Sequence, residues 1–511
     1  MRMTAPRLFP RIGAASLSRR DLLRSAAGLC AASAGVGMST AAAQPRLRPP
    51  SGPYVIDAGW AWIASGDETA ALQREVSIVV RHGRIEEVGR AVGRGLPRID
   101  ARTHLVLPGF ISGHTHVASG TPTRGIIEGG RSYQRPLELL DQLPDEDLDA
   151  VTAANLAELI RSGCTTTLDM SLSLRQAQSF VRVATRFRAR GYPAPMIPGT
   201  RRLFDIWYRR TDAVLQDATT ETLREIADAR AFARMHARRN DGLIRPQMAA
   251  HATDTHTPDT MRALIQAARD VGEGLHLHLA QGARESATVQ RLWGQSPVRW
   301  LDELGAFSMP CFGAHMAGVD WAADGPLLAA RGVVYAHCPS AGGAGGDTQP
   351  WPEALAAGVP VNIGIDTHSN DYLENLKLAV LYGQARESLL RASSPVPVRR
   401  PTVADALRSA TLVPAQALKR PDLGRLRPGA EADLVSIDVS GLLVGTGALP
   451  PEPLNLLLYG HGLSVRHVMT HGHVQVFHGR FIADDEEAVA ARGGAVVRRL
   501  WATLEREGWF R

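Results

Sequence analysis

The sequence predicts an α/β protein, a (β/α)8 TIM-type barrel with a small β-sandwich domain built from both ends of the chain, and three observations carry that expectation. Residues 104–420 alternate short apolar runs with segments of helical periodicity, the pattern of a parallel core. The flanking stretches, 44–103 and 421–511, alternate apolar and polar residues between glycine turns, as short antiparallel strands do, and a helix closes the chain. The polar residues that end the apolar runs are histidines and an aspartate, so one kind of chemistry gathers at one end of the predicted barrel.

At 511 residues the chain exceeds one compact core and fits a large domain with a smaller companion. Its net charge of +6 looks basic, but residues 1–43 carry six arginines and one aspartate, and the remainder is left at +1. That balance removes the case for a nucleic-acid partner. The same segment reads Ser18-Arg-Arg-Asp-Leu-Leu23, then an Ala/Gly/Ser-rich run from Ser25, then Ala41-Ala-Ala43. It resembles a twin-arginine export signal with a small-residue cleavage site, which implies a periplasmic or secreted mature protein. Elsewhere no apolar run is long enough to span a membrane. Cys30 leaves with the signal, and Cys164, Cys311 and Cys338 are too widely spaced for a disulfide framework or a metal knuckle; they are expected to be small core residues.

In chain order, Tyr54 to Arg98 reads as short antiparallel strands turned at Ser65-Gly-Asp67 and His82-Gly-Arg84. Eight barrel strands are predicted at Leu105 to Ser112, Thr165 to Met170, Pro195 to Gly199, Leu243 to Ala250, Gly274 to Ala280, Pro310 to Ala314, Gly332 to Ala336 and Pro360 to Ile365. Helical stretches such as Asp145 to Arg161, Pro258 to Val271 and Asn370 to Leu390 separate them. Gly424 to Asp438 and Val465 to Phe477 return to the strand pattern of the N-terminal part.

A barrel of this kind works at the carboxyl ends of its strands. His114 and His116 end the first, His251 the fourth, His278 the fifth, His315 the sixth, His337 the seventh and Asp366 the eighth. Side chains two apart on a strand share a face, so His114 and His116 would present two imidazoles together. With His278 and Asp366 they make three nitrogens and a carboxylate around one cation, with room for a water. His315, one strand on, is placed to hold and deprotonate that water. His276 faces the same way as His278 but one layer deeper, where a packed or supporting histidine is expected.

These residues sit in segments that resemble the amidohydrolase superfamily. The matching stretches are Pro108-Gly-Phe-Ile-Ser-Gly-His-Thr-His116, Gly163-Cys-Thr-Thr-Thr-Leu-Asp169, His276-Leu-His-Leu-Ala-Gln281, Gly313-Ala-His315, Ala336-His-Cys-Pro-Ser340 and Gly364-Ile-Asp366. Gly424 to Asp438 is similar to the closing Gly-x-Leu…Gly-x-x-Ala-Asp-Leu segment, so the resemblance covers nearly all of the mature chain. The nearest branch holds the cytosine, guanine and S-adenosylhomocysteine deaminases and the triazine hydrolases. The resemblance implies one divalent metal per subunit, zinc or iron(II), on His114, His116, His278 and Asp366. It further implies that Asp366 and His315 activate water for attack on an sp² ring carbon, and that His251 contacts substrate, with Gln281 and His337 also on the substrate side. The chain's two lysines, Lys377 and Lys419, both lie beyond Asp366, so the two-metal arrangement bridged by a carboxylated lysine on the fourth strand is not expected.

One position departs from the branch. Its His-x-x-Glu after strand five, where the glutamate passes protons, is here His278-Leu-Ala-Gln281, and an amide cannot transfer a proton at neutral pH. Three further stretches are candidates for the rim: Ala341-Gly-Gly-Ala-Gly-Gly346, the Gly120 to Leu140 loop as a cover, and Arg201, Arg202, Trp207 and Tyr208 as a grip on an anionic or aromatic substrate. The expected activity is hydrolysis of a C–N bond of an N-heterocycle with release of ammonia or an amine. Its rivals are a ring-opening or acyclic amidase, prolidase-like relatives included, and a metal-bearing ligand-binding protein without turnover. The partner expected is a small-molecule substrate, with no nucleic acid and with a homo-oligomer left open.

Overall fold

The computed structural model describes residues 48–66 and 69–510; the export signal read in residues 1–43 lies outside them. Eight parallel strands form the barrel in chain order: Phe110–Thr115, Cys164–Ser171, Arg190–Ile197, Met248–Ala252, Leu275–Leu279, Cys311–His315, Val334–His337 and Val361–Ile363. The first and last strands meet through a parallel bridge between Thr115 and Asp366, and the N–H groups of Ile365 and Asp366 both donate to the His114 carbonyl. A side chain on Gly113 would stand 1.6 Å from Asn362 Oδ1, so glycine is what lets these two strands close beside the histidine pair.

The first predicted strand, Leu105 to Ser112, is divided in the structure. Arg98–Pro108 belongs to the small sheet, and the barrel starts at Phe110, past Gly109, so the small domain reaches beyond residue 103. One apolar run served two sheets, because strands buried in either read alike. The third strand begins earlier than expected, at Arg190, and the fourth later, at Met248, with Ile244 making only a bridge to Gly191.

The small domain is one eight-stranded sheet in the order Arg480–Phe481, His473–Phe477, Val465–Thr470, Leu434–Asp438, Arg98–Pro108, Tyr54–Ala64, Ala70–Arg81, Arg84–Gly89. Neighbours are antiparallel except the pair Tyr54–Ala64 and Arg98–Pro108. The sheet curls until the hairpin carrying Arg84–Gly89 bonds to the segment before Leu434, through Ile85 N–H to the Ala430 carbonyl at 2.9 Å and Ala432 N–H to the Gly83 carbonyl at 2.9 Å. Its inner face buries Ile56, Ile78, Ile99, Leu434 and Met469.

A buried ionic cluster joins the two parts. Arg190, at the start of the third barrel strand, pairs with Glu431 at 2.9 Å and Asp433 at 3.1 Å, and Asp433 also accepts the His471 N–H. Those acids belong to the closing Ala-Glu-Ala-Asp-Leu run, which explains why charged residues interrupt an apolar strand there: an arginine this deep needs carboxylates on its donors.

The helices start and stop where local chemistry directs. Pro258–Val271 begins at a Thr257 cap with proline at its first position and ends at Gly272 in the left-handed region, φ 82°. Asp145–Arg161 carries Asp145, Glu146 and Asp147 in its first turn and Arg161 in its last, in accord with the helix dipole. Cys164, Cys311 and Cys338 are buried and free. Among the described residues no helix is long and apolar enough to cross a membrane.

Candidate metal centre and active site

The strand ends bring His114, His116, His278, His315 and Asp366 together. Two overlapping sets, His114/His278/His315 and His114/His116/Asp366, each place their donor atoms within 4.8 Å of one another. His116 Nε2 lies 3.4 Å from His278 Nε2 and 3.4 Å from Asp366 Oδ1; His114 Nε2 is 3.9 Å from the same oxygen. Donors about 2.0–2.1 Å from a tetrahedral metal stand about 3.4 Å apart, so these spacings fit.

Hydrogen bonds on the far side of each ring decide what the near side offers. His116 Nδ1 lies 2.6 Å from the Met170 carbonyl and His278 Nδ1 2.6 Å from the His251 carbonyl. A carbonyl only accepts, so both Nδ1 atoms carry the proton and both Nε2 atoms turn lone pairs toward each other. Facing lone pairs at 3.4 Å repel unless a cation lies between them. His114 Nε2 is buried without any hydrogen-bond partner, as a ligand nitrogen would be, and His114 Nδ1 contacts His276 Nε2 at 2.9 Å. Burial lowers the pKa of His114, His116 and His278 and so holds them in the neutral, ligating form.

His276 therefore supports the centre through His114 and has no contact with it of its own. Replacing His276 with leucine is expected to weaken metal binding about 10–100-fold, the usual effect of losing an outer-shell partner, as read by competition with a chelator. Unchanged affinity would assign His276 to packing alone.

Backbone geometry at the strand ends is unusual. Ala280, His315 and Asp366 have φ of 46°, 75° and 64°, left-handed values that non-glycine residues rarely adopt and that gather at functional sites. Asp366 is held by its N–H on the His114 carbonyl and by its own carbonyl accepting from His116 N–H at 3.2 Å. Its Oδ1 faces His114 and His116 and its Oδ2 faces His315 Nε2 at 3.7 Å.

A cavity of about 300 Å³ opens over the cluster. His251 and Gln281 line it, as expected for substrate-side residues; His251 stacks edge-on against Trp207 at 5.5 Å between centroids. His337 does not line it. That ring is fully buried, packed on Trp351, with Nδ1 3.0 Å from Gln349 Oε1. The expected arginine grip is also absent from the lining: Arg202 pairs with Glu225 at 2.9 Å and Arg201 is exposed. The 120–140 segment does cover the site, with Thr123, Ile127, Tyr133 and Leu137 in the wall, and the Gly-rich stretch contributes Ala341, Gly342 and Gly345.

Several residues of the site carried no motif. Gln349, Asp347 and His368 line the cavity, and Glu285 lies buried beneath Gln281, accepting the Gln281 N–H at 2.7 Å and the Thr253 N–H at 3.1 Å. Glu285 sits on the helix after strand five, one turn past the position the branch reserves for its acid, and it is absent from the cavity lining.

A parallel barrel whose strand ends assemble neutral imidazoles and one carboxylate around a cation-sized gap is a metal-dependent hydrolase. The model of the amidohydrolase family matches residues 105–474, and the chain belongs to that family. A 5-methylthioadenosine/S-adenosylhomocysteine deaminase of Pelotomaculum thermopropionicum is 29% identical over 66% of this chain and 73% of its own length. Hydroxydechloroatrazine ethylaminohydrolase of Pseudomonas sp. strain ADP is 28% identical over 86% of this chain and 95% of its own. The crystal structure of an adenosine deaminase from Xanthomonas campestris with bound zinc superposes with a TM-score of 0.70 at 22% identity, covering 88% of this chain and 98% of that one.

Proposed function

We propose that this protein is an exported aminohydrolase of an uncharged or cationic nitrogen heterocycle bearing an apolar substituent. The observation that carries the substrate class is the cavity lining. In its lining Ile127, Leu137, Leu172, Met196 and Leu203 are apolar, Asp347 and Asp366 are acidic, and among the described residues no arginine or lysine is present. A phosphate or carboxylate on the substrate would lack a partner there and would face like charge.

His114, His116, His278 and Asp366 would hold the metal, zinc by the donor set and the spacing, with iron(II) as the alternative. Bound there, the metal supplies a Lewis acid that makes water acidic enough to attack at neutral pH. Asp366 and His315 flank the water's side of the site, and His251 and Gln281 orient the ring. Names of relatives support the reading, since they include deaminases and an aminohydrolase.

The test is an ammonia-release screen of the zinc-loaded protein over purines, pterins, pyrimidines and triazines. Release from a neutral ring, with loss of rate when a carboxylate is appended, is expected. New carboxylate without ammonia would make the protein a ring-opening or acyclic amidase instead. For export, changing both Arg19 and Arg20 to lysine is expected to leave precursor in the cytoplasm, because paired arginines are the receptor-read address. Unchanged delivery across the membrane, followed by cell fractionation, would refute that part.

A further inference from the structure

The hydrogen-bond logic that makes His116 and His278 metal ligands gives the opposite answer for His315, and Gln349 is the reason. Gln349 is buried behind the sixth and seventh strand ends, with φ of 56°, in the left-handed region. Its Oε1 lies 3.0 Å from the backbone nitrogen of Cys338. A backbone N–H can only donate, so the atom facing it must be the amide oxygen, and the orientation of the Gln349 amide is fixed. The other end, Nε2, then faces His315 Nδ1 at 3.4 Å. An amide NH2 can only donate, so Nδ1 of His315 is an acceptor and the proton of its neutral ring sits on Nε2.

That Nε2 is buried, has no hydrogen-bond partner, and points toward Asp366 Oδ2 at 3.7 Å. A protonated nitrogen cannot ligate a metal, so His315 drops out of the two overlapping groups of donors, and His114, His116, His278 and Asp366 remain.

We propose that Gln349 is a positioning residue that holds His315 as its Nε2-protonated tautomer, so that His315 donates a hydrogen bond to the attacking water while Asp366 takes that water's proton. In the step, one O–H bond of water breaks and its proton passes to an Asp366 oxygen; the hydroxide, steadied by the Nε2–H of His315, bonds to the ring carbon as the C=N π pair moves to the ring nitrogen. When that pair re-forms the double bond the exocyclic C–N bond breaks, and the amino group leaves with the proton held by Asp366, giving ammonia or an amine and the hydroxylated ring. This rests on the hydrolase reading of the same site and narrows the roles expected from sequence, in which Asp366 and His315 together activate the water and His315 is placed to deprotonate it.

The direct measurement is long-range ¹H–¹⁵N correlation on zinc-loaded protein labelled with ¹⁵N-histidine, the His315 signals being assigned by their loss in His315→Asn. A protonated Nε2 and an unprotonated Nδ1 are expected. In Gln349→Glu the carboxylate still accepts from Cys338 N–H but cannot donate to Nδ1, so the tautomer should flip, with ammonia release falling about tenfold or more in kcat and KM little changed. His315→Asn should retain about one zinc per chain, whereas His278→Asn should lose it.

An Nδ1-protonated His315 in the wild type, or loss of zinc from His315→Asn to the extent seen for His278→Asn, would overturn the proposal. So would a tautomer flip in Gln349→Glu with kcat unchanged. If the glutamate variant fails to fold, the wild-type spectrum and the zinc counts still decide. The spectrum needs no substrate: the expected tautomer without turnover on any ring would defeat the functional reading alone, and the opposite tautomer with ammonia release would defeat this proposal alone.

Discussion

Replacing Asp366 with alanine is expected to lower ammonia release by about 10²–10⁴-fold, the usual worth of a positioned proton-transfer group, and to reduce the metal content below one per chain. Both losses follow from one side chain whose oxygens have separate partners: Oδ1 stands 3.4 Å from His116 Nε2, and Oδ2 faces His315 Nε2 at 3.7 Å. Asp366→Asn separates the two duties. The amide keeps the size and one acceptor oxygen, so it should retain part of the metal while losing the proton acceptor, and its backbone bonds to His114 and His116 are unaffected. Rates and elemental analysis on the two variants check this; an alanine variant with full activity and one metal per chain would remove Asp366 from the centre.

Changing Gln281 to glutamate is expected to reduce turnover of the native substrate about tenfold or more. The structure adds a reason beyond the motif. Glu285 already lies buried against the Gln281 backbone, with its pKa raised by burial, and Asp366 and Asp347 already line the cavity. A further carboxylate there would meet like charge in a partly desolvated site, and each 1.4 kcal/mol of mismatch is tenfold in rate. A site that had lost a working acid would respond in the opposite direction, gaining about 10²–10⁴-fold on a purine or pyrimidine. A gain of that size, with little wild-type turnover on any ring, would show that Gln281 marks decay and not a fitted neutral contact.

The strand-end histidines and Asp366 could be found from sequence because two rules act locally. Apolar runs with helical spacers make a parallel barrel, and such a barrel sets its chemistry where each run turns polar. His114, His116, His278, His315 and Asp366 obey both, and the structure gathers all five. The same reasoning placed His276 one layer below, where it supports His114.

What it could not resolve was which apolar residues pair with which. Leu105 to Ser112 reads as one strand yet feeds two sheets, since burial in either leaves the same pattern and only the pairing of Leu107 with Val435 and of Ile111 with Thr166 divides it. His337 obeys the strand-end rule as well as His315 does, but its ring packs on Trp351 and Gln349 and does not reach the cavity lining, a choice of neighbours that no spacing encodes.

The sequence by itself therefore determined the barrel and the histidines and aspartate that gather at its strand ends, because alternation and strand-end polarity are properties of neighbours along the chain. The absence of arginine and lysine from the cavity lining among the described residues, the support of His114 by His276 and the orientation of His315 by Gln349 were decided only by the tertiary structure. The last two depend on atoms 162 and 34 residues apart in the chain meeting within hydrogen-bond range, and on a buried donor having one acceptor it can reach.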